Sequence, residues 1–505
     1  MSPAPEGTAS LTTIEASGTM DTMPRPPALP APPPPGPIPP GTTLALDVDT
    51  LWLDATHLAG GSPFRLLGLS PAGTALVRRW VAGAPLGEAP GHGMLARRLV
   101  DAGIAHPRLD GGPRTSDVTI VIPVRDRVDD LAALLPLLEG CRVVVVDDGS
   151  RDPEPLATVV ARHGARLVRR ERSGGPGVAR NEGLATVTTA FACLLDSDCR
   201  PPTGFLDRLL PALGDPTVAL VAPRITGGPS KRLLGRFEQA CSPLDVGDRE
   251  ALVRPASRVT FVPSACMVLR TSLGSALFDD ALVGGEDVDL VWRLVEAGWS
   301  VRLDPSVVVE HPARPTLGAW LGQRAFYGST AAALADRHGD AVAPIGGSAF
   351  AVGACVALLL GQPALGVASV GVGTAILARR LEGTIEQPRE AAARLMLRST
   401  LVAGPTVARQ LVRSYGPALL LAGLASRRVR RATLVAGLVG AAGRWWSADT
   451  DLGVLRFGSL SVLDDAAYGF GLWRGVLRRG RAGALRPRLS LLRRAPEGAR
   501  GQVRR

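Results

Sequence analysis

Three acidic clusters in this 505-residue chain have the composition and spacing of working carboxylates: Asp147-Asp148, the pair Asp196 and Asp198 one residue apart, and Glu286-Asp287. Ionised carboxylates accept hydrogen bonds from base N–H groups and ribose hydroxyls, ligate divalent cations, and take up protons. Two of them separated by a single residue repel unless compensated. Mg²⁺ or Mn²⁺ compensates such a pair and leaves coordination positions free for phosphate oxygens, so Asp196 and Asp198 are candidate metal ligands. An acid with the ordinary aspartate pKa of about 4 is ionised near neutrality, as a proton acceptor must be, and Glu286-Asp287 meets that need. Each cluster also has an ordinary structural explanation when taken singly: a turn after a strand, a hydrated loop before Pro201-Pro202, an acidic helix start.

The elements around these residues argue for more than turns. Residues 118–122, Val-Thr-Ile-Val-Ile, form a β-branched run with the pattern of a buried strand, ending at Pro123. An apolar helix is expected over 131–138, a second buried strand over 143–146, and a further one over 191–195. Strands alternating with helices imply a parallel sheet, whose ligands bind beyond the carboxyl ends of the strands. The residues at those ends are Pro123, Arg125 and Asp126; Asp147 and Asp148; and Asp196 and Asp198. Farther on, Val288, Val291, Leu294 and Val295 recur at helical spacing, which puts Glu286 and Asp287 in a first helical turn where the helix dipole stabilises carboxylates.

Five such elements, taken in order over about 117–337, resemble the family-2 inverting glycosyltransferases of GT-A fold. They include the strand end Pro123-Val-Arg-Asp126, Asp147-Asp148-Gly149-Ser150, the glycine-rich segment 174–183 with Arg180 and Asn181, Asp196-Ser197-Asp198, and Gly285-Glu286-Asp287. The resemblance implies an α/β fold with a Rossmann-like, mixed but mostly parallel sheet. It implies donor contacts from Pro123, Arg125, Asp126, Asp147, Asp148, Arg180 and Asp196, with Arg180 on the nucleobase or diphosphate and Arg324 stabilising the leaving group. A Mg²⁺ or Mn²⁺ ion would be held by Asp198, Asp196 and His311, the histidine being equally compatible with a structural role. Asp287 is the implied general base, with Glu286 as the alternative base or an acceptor-hydroxyl ligand. The reaction is then a single in-line displacement with inversion. Trp292, Trp299 and Trp320 are expected in the core more often than on a sugar.

The flanking regions carry less. Residues 1–42 lack a signal peptide's basic and apolar regions and contain the run Ala31-Pro32-Pro33-Pro34-Pro35, which reads as a disordered tail. Short apolar runs and two helical stretches over 43–110, the first opened by Ser70-Pro71, look like a winged-helix, PqqD-like peptide-recognition module; a packing extension of the next domain explains them equally well. The glycosyltransferase-like domain is placed at 115–340 and an apolar helical region at 341–480, followed by a basic tail, 481–505. Residues 341–378 contain no charge and are divided at Gly361-Gln362-Pro363, which fits two short transmembrane helices, a re-entrant hairpin, or a buried helical pair.

The net charge of +11 comes almost wholly from arginine. Basic clusters between later apolar runs point to the cytoplasmic membrane face, integral or peripheral, with the catalytic domain in the cytoplasm. No nucleic-acid partner is expected, since aromatics make up only 4% and no binding motif is present. Six scattered cysteines read as free thiols in a reducing compartment. The layout as a whole resembles the glycosyltransferases of mycofactocin systems, which implies a nucleotide-sugar donor, UDP-glucose, and a mycofactocin-like small-molecule or peptide acceptor. Alternatives are a membrane glycosyltransferase with a lipid or polysaccharide acceptor, nucleotidyl transfer, and a non-catalytic nucleotide-sugar or peptide-binding membrane protein. Nucleotidyl transfer would want a glycine-rich phosphate loop after the first strand, which 123–126 lacks.

Overall fold

A computed structural model describes residues 28–314 and 316–490. The amino-terminal module contains β1 (Thr43–Leu46), β2 (Leu51–Trp52), β3 (His57–Gly60), β4 (Arg65–Gly68), α1 (Pro71–Val81), α2 (Pro90–Asp101) and β5 (Ala105–Arg108). Strands β2, β3 and β4 form an antiparallel sheet and β1 pairs with β5. Ser70 caps α1 as its sequence predicts, its Oγ accepting the Gly73 N–H at 3.1 Å, with Pro71 at the first helical position. Val77, Trp80, Leu99 and Ile104 fill a core of the module's own. A buried Arg97–Asp215 pair at 2.7 Å and a Ser62 Oγ bond to the Leu252 carbonyl at 3.1 Å tie the module to the next domain.

The second domain runs β6 (Val118–Val124), α3 (Val128–Leu134), β7 (Arg142–Asp147), α4 (Glu154–Arg162), β8 (Arg166–Arg169), α5 (Pro176–Ala185), β9 (Phe191–Leu195), α6 (Phe205–Leu209), β10 (Val218–Thr226), α7 (Leu233–Cys241), β11 (Ala251–Leu252), β12 (Cys266–Arg270), α8 (Glu286–Glu296), β13 (Ser300–Glu310) and α9 (Leu317–His338). Its eight-stranded sheet has the order β11-β13-β10-β12-β9-β6-β7-β8. Pairs β9-β6, β6-β7, β7-β8 and β10-β13 are parallel, while β12 and β11 run antiparallel to their neighbours, which is the mixed, mostly parallel sheet expected.

The β-branched strands read as continuous apolar runs because both faces are covered. Ile120, Ile122 and Val145 meet Leu131, Leu134 and Leu156 on one side, and Val121, Val144 and Val146 meet Ala179 and Leu184 on the other. Helix α5 lies so close that a Cβ on Gly183 would come within 2.3 Å of Val121, which explains a glycine there.

The proline-rich segment departs from expectation. Residues 1–27 lie outside the described residues, but 28–42 are an ordered strap. The Pro30 carbonyl accepts from Trp299 Nε1 at 2.6 Å, the Gly36 carbonyl accepts from Arg97 Nε at 2.8 Å, and Ile38 is buried in the module's core. Prolines donate no backbone hydrogen bond, yet their carbonyls accept and their fixed φ lowers the entropy lost on docking, so a composition that cannot build a core can still lie on one.

The carboxy-terminal region contains β14 (Gly346–Ser348), α10 (Ala349–Leu359), α11 (Pro363–Leu381), α12 (Pro388–Ala425), α13 (Arg427–Ser447), α14 (Val454–Arg479) and β15 (Arg488–Ser490). Of the two halves of the uncharged stretch, α11 alone among the described residues is long and apolar enough to cross a membrane; α10, at 11 residues, spans only about 16 Å. Of the three readings of this stretch, a pair of spanning helices is therefore reduced to one candidate span. Large apolar side chains stay exposed on the outer faces, including Leu421, Leu424, Leu438 and Leu455. Helix α14 packs on α9 and joins this region to the second domain. Of the basic tail, 491–505 lies outside the described residues.

Candidate active site

The carboxyl ends of β6, β7 and β9 open into a cleft of about 960 Å³. Pro123, Arg125, Asp148, Arg180, Asp196, Asp198, Glu286, Asp287 and His311 all line it. Residues separated by up to 188 positions thus converge where strand-end reasoning places them.

The β9 strand delivers Asp196 and Asp198, and an antiparallel bridge between Arg200 and Glu310 draws their loop to the end of β13. That bridge brings His311 alongside, with Nε2 3.3 Å from Asp198 Oδ1. One ligand atom from each of Asp196, Asp198 and His311 lies within 4.8 Å of the others. Two carboxylates and an imidazole form an oxygen-rich donor set that fits Mg²⁺ or Mn²⁺.

Helix α8 presents the second acidic pair as its spacing predicts. Gly284 and Gly285 both have positive φ, 87° and 77°, and a Cβ on Gly284 would meet Phe326 at 2.5 Å, so only glycines make this approach to the helix. Asp287 Oδ2 accepts the Ser264 N–H at 3.2 Å and Oδ1 the Val288 N–H at 2.8 Å. Burial and the neighbouring Glu286 charge push the Asp287 carboxyl up to about 6, above the ordinary value expected from sequence, although the Ser264 amide and Arg180 pull the other way. Burial and the nearby Asp287 charge also raise the Tyr327 phenol, another cleft residue, to about 12, so it stays protonated.

The raised Asp287 carboxyl would give a general-base role a kinetic signature. Activity should rise with pH through about 6 and level off above 7 as Asp287 loses its proton. Glu286→Gln removes the like charge and should move that acidic limb toward lower pH. A kcat/KM profile of the two proteins measures it, and an unmoved limb would separate Asp287 from the titration.

Several of the residues expected to contact a donor carry protein partners. Arg180, a cleft residue only 3% exposed, bridges Asp196 Oδ1 at 2.7 Å and Glu286 Oε1 at 3.2 Å, joining the Asp196–Asp198 pair to the acidic helix start. Asp147 is fully buried beneath the cleft, paired with Arg169 and accepting the Ser150 N–H at 2.9 Å. Asp148 faces the cleft, but its oxygens accept Ser173 Oγ at 2.7 Å and the Gly174 and Gly175 amides at 2.9 Å. It shapes the glycine-rich loop and has little accepting capacity left over. Asp126, at φ 53°, gives one carboxylate oxygen to the Arg151 N–H at 2.8 Å and braces the same wall without lining the cleft. Pro123 and Arg125 remain cleft residues, Arg125 half exposed.

The largest correction concerns Arg324. It is 1% exposed and not among the residues that line the cleft, bound to Glu238 and, through Nε, to Asp464 Oδ1 at 2.6 Å. Asp464 also receives Arg444 at 2.7 Å, while Asp465 beside it receives Arg409 at 3.0 Å and Arg413 at 2.8 Å. Burial alone would raise Asp464, yet Arg444, Arg413, Arg324 and Arg409 together hold it down at about 2. The network fastens α12, α13 and α14 to α7 and α9, and Arg409, Gln410, Arg413, Ser414 and Tyr468 form a helical wall of the cleft. No contiguous motif in the sequence marks that wall. Its traces were present: adjacent aspartates in an otherwise apolar helix, and arginines at i and i+4 on α12.

Trp292, Trp299 and Trp320 are core residues, each with its indole N–H satisfied by Thr260, Pro30 or Glu238. All six cysteines are free.

A family model described as Glycosyl transferase family 2 matches residues 119–275. A pre-mycofactocin glycosyltransferase of Mycobacterium tuberculosis is 41% identical over 453 residues, 86% of this chain and 95% of the relative. Glycosyltransferase AglE of Haloferax volcanii is 24% identical over 210 residues, 39% of this chain and 67% of the relative. Among solved structures, a Pyrobaculum calidifontis mannosyltransferase in complex with GDP-Man and Mn²⁺ covers 67% of this chain and 90% of its own at 18% identity, with a TM-score of 0.35, too loose an overlay to carry function. Strand-end acids in one cleft and a relative matched over nearly its whole length agree: the chain belongs to the family-2 glycosyltransferases of GT-A fold, in company with the pre-mycofactocin glycosyltransferase.

Proposed function

We propose that this enzyme transfers glucose from UDP-glucose, with inversion, onto a mycofactocin-like acceptor, a small peptide-derived redox cofactor or its precursor. The carrying observation is that Asp287 opens into the same cleft as the Asp196, Asp198 and His311 cluster. An acceptor hydroxyl between them loses its proton to Asp287 as its oxygen attacks the anomeric carbon. The bond from that carbon to the diphosphate oxygen breaks, and UDP departs. Arg180 keeps Asp196 and Glu286 in fixed relation, so the donor side and the acceptor side of the cleft stay in register. A divalent cation, Mg²⁺ or Mn²⁺, held by Asp196, Asp198 and His311 would supply positive charge for the leaving diphosphate. The donor wall is built by Pro123, Arg125 and the glycine-rich loop that Asp148 organises.

The exposed leucines of α12, α13 and α14, with Arg427, Arg428, Arg430 and Arg431 at the α12–α13 junction, support association with the cytoplasmic membrane face. The amino-terminal module is proposed as the peptide or carrier contact. Purified enzyme incubated with Mn²⁺, an acceptor extract and a panel of nucleotide-sugars should release free UDP from UDP-glucose and add hexose mass to a redox-cofactor species. Pyrophosphate release would mark nucleotidyl transfer, and neither product would mark a binding protein.

A further inference from the structure

Asp198 carries a second partner besides His311, and that partner belongs to neither acidic motif. Arg127 leaves β6 as the residue capping α3, with the non-helical backbone φ −129°, ψ 56°. Its Nη1 donates to Asp198 Oδ2 and reaches Asp130 Oδ2 at 3.2 Å. The opposite oxygen of Asp198 faces the His311 ring. One carboxylate is therefore held between a guanidinium and an imidazole. A cation ligated by Asp196, Asp198 and His311 and the guanidinium of Arg127 draw on the same charge.

The two arginines that touch the metal carboxylates differ in freedom. Arg180 is 3% exposed, bridges two carboxylates and lies against the Phe278 ring, so its position is fixed. The Arg127 side chain is 36% exposed, lines the cleft and has Asp130 as an alternative partner. It can leave Asp198 without stranding a buried charge.

We infer that Arg127 is the counter-ion that a divalent cation displaces from Asp198, and that the freed guanidinium then meets the donor's diphosphate. The inference rests on the proposed metal site. Phosphate oxygens complete the coordination of such a cation, so the diphosphate lies beside Asp198, within the reach of a side chain that has just left it. Arginine suits the second role because its planar fork matches phosphate oxygens. The consequence is coupled binding: the cation alone meets a competitor, whereas cation and nucleotide together give that competitor a new partner.

The test is Mn²⁺ titration of the full-length protein without nucleotide, read by electron paramagnetic resonance. Arg127→Gln should bind Mn²⁺ about twofold to fivefold more tightly than the parent, the range set by losing a partly exposed ion pair that competes for the ligand. Arg125→Gln removes the same charge from the same loop, but Arg125 is paired with Asp126 rather than Asp198, and its Mn²⁺ affinity should stay at the parent value. At saturating Mn²⁺, calorimetric UDP affinity should fall about tenfold in Arg127→Gln, reflecting a lost charge-assisted contact. Equal Mn²⁺ affinity in parent and Arg127→Gln, or equal tightening in Arg125→Gln, overturns the counter-ion role. Unchanged UDP affinity overturns the transfer to diphosphate. Failure of either protein to bind Mn²⁺ overturns the metal site and this inference together, whereas normal Mn²⁺ behaviour without sugar transfer counts against the proposed reaction alone.

Discussion

Asp287→Asn should lower kcat by about 10²–10⁴-fold, the contribution of a positioned general base, while UDP still binds in the presence of Mn²⁺. The amide has the size of the carboxylate, but its single oxygen can accept only one of the Ser264 and Val288 N–H groups that the two carboxylate oxygens accept, so circular dichroism should confirm that α8 keeps its start. What disappears is a group able to hold a proton. Loss of UDP binding in step with turnover would mean that Asp287 holds the donor instead, and unchanged turnover would remove it from the chemistry. Calorimetric UDP titration beside initial rates distinguishes these outcomes. The pH profile gives an independent check, since the acidic limb near 6 should vanish from whatever residual activity the variant retains.

Arg324→Met should cost about 3–5 kcal/mol of stability, the penalty for leaving buried charges without their partner. Glu238 loses its cation, and Asp464 loses one of several. Chemical denaturation monitored by circular dichroism measures the loss. Adding Glu238→Gln to the variant should recover part of it. Burial already raises the Glu238 carboxyl with Arg324 present, so its charged form destabilises the fold above the folded pKa. Stability of Arg324→Met relative to the parent should therefore improve as pH falls and Glu238 takes up a proton. A loss below about 1 kcal/mol, an amount ordinary for exposed pairs, would show that the network is not what fastens the helical region to the catalytic domain.

The contrast between Asp287 and Arg324 shows what could be read in one dimension. Asp287 lies in an element whose period, glycine start and acidic first turn are all local, and strand-end placement follows from chain direction once the β-branched runs are identified. Asp196 and Asp198 were legible for the same reason. The strap at 28–42 was misjudged because composition reports what a segment can bury, not which carbonyls a distant Trp299 or Arg97 will use. Arg180 and Asp148 lie in the expected cleft, but their protein partners were not legible in the sequence. Their hydrogen-bonding capacity is spent on Asp196, Glu286 and the 173–175 loop, which only a set of coordinates can count.

Sequence alone determined the βαβ order, the three acidic clusters, the helix that carries Glu286-Asp287, and the apolar, arginine-rich character of the last third of the chain. These follow from side-chain period and backbone chemistry within a few residues. Tertiary structure decided that the last third walls the cleft, that Arg324 is buried in the ion-pair network behind this wall, and that Asp287 is raised to about 6. Each of these depends on burial and on charges brought together from far apart in the chain, and both are properties of packing that no local pattern encodes.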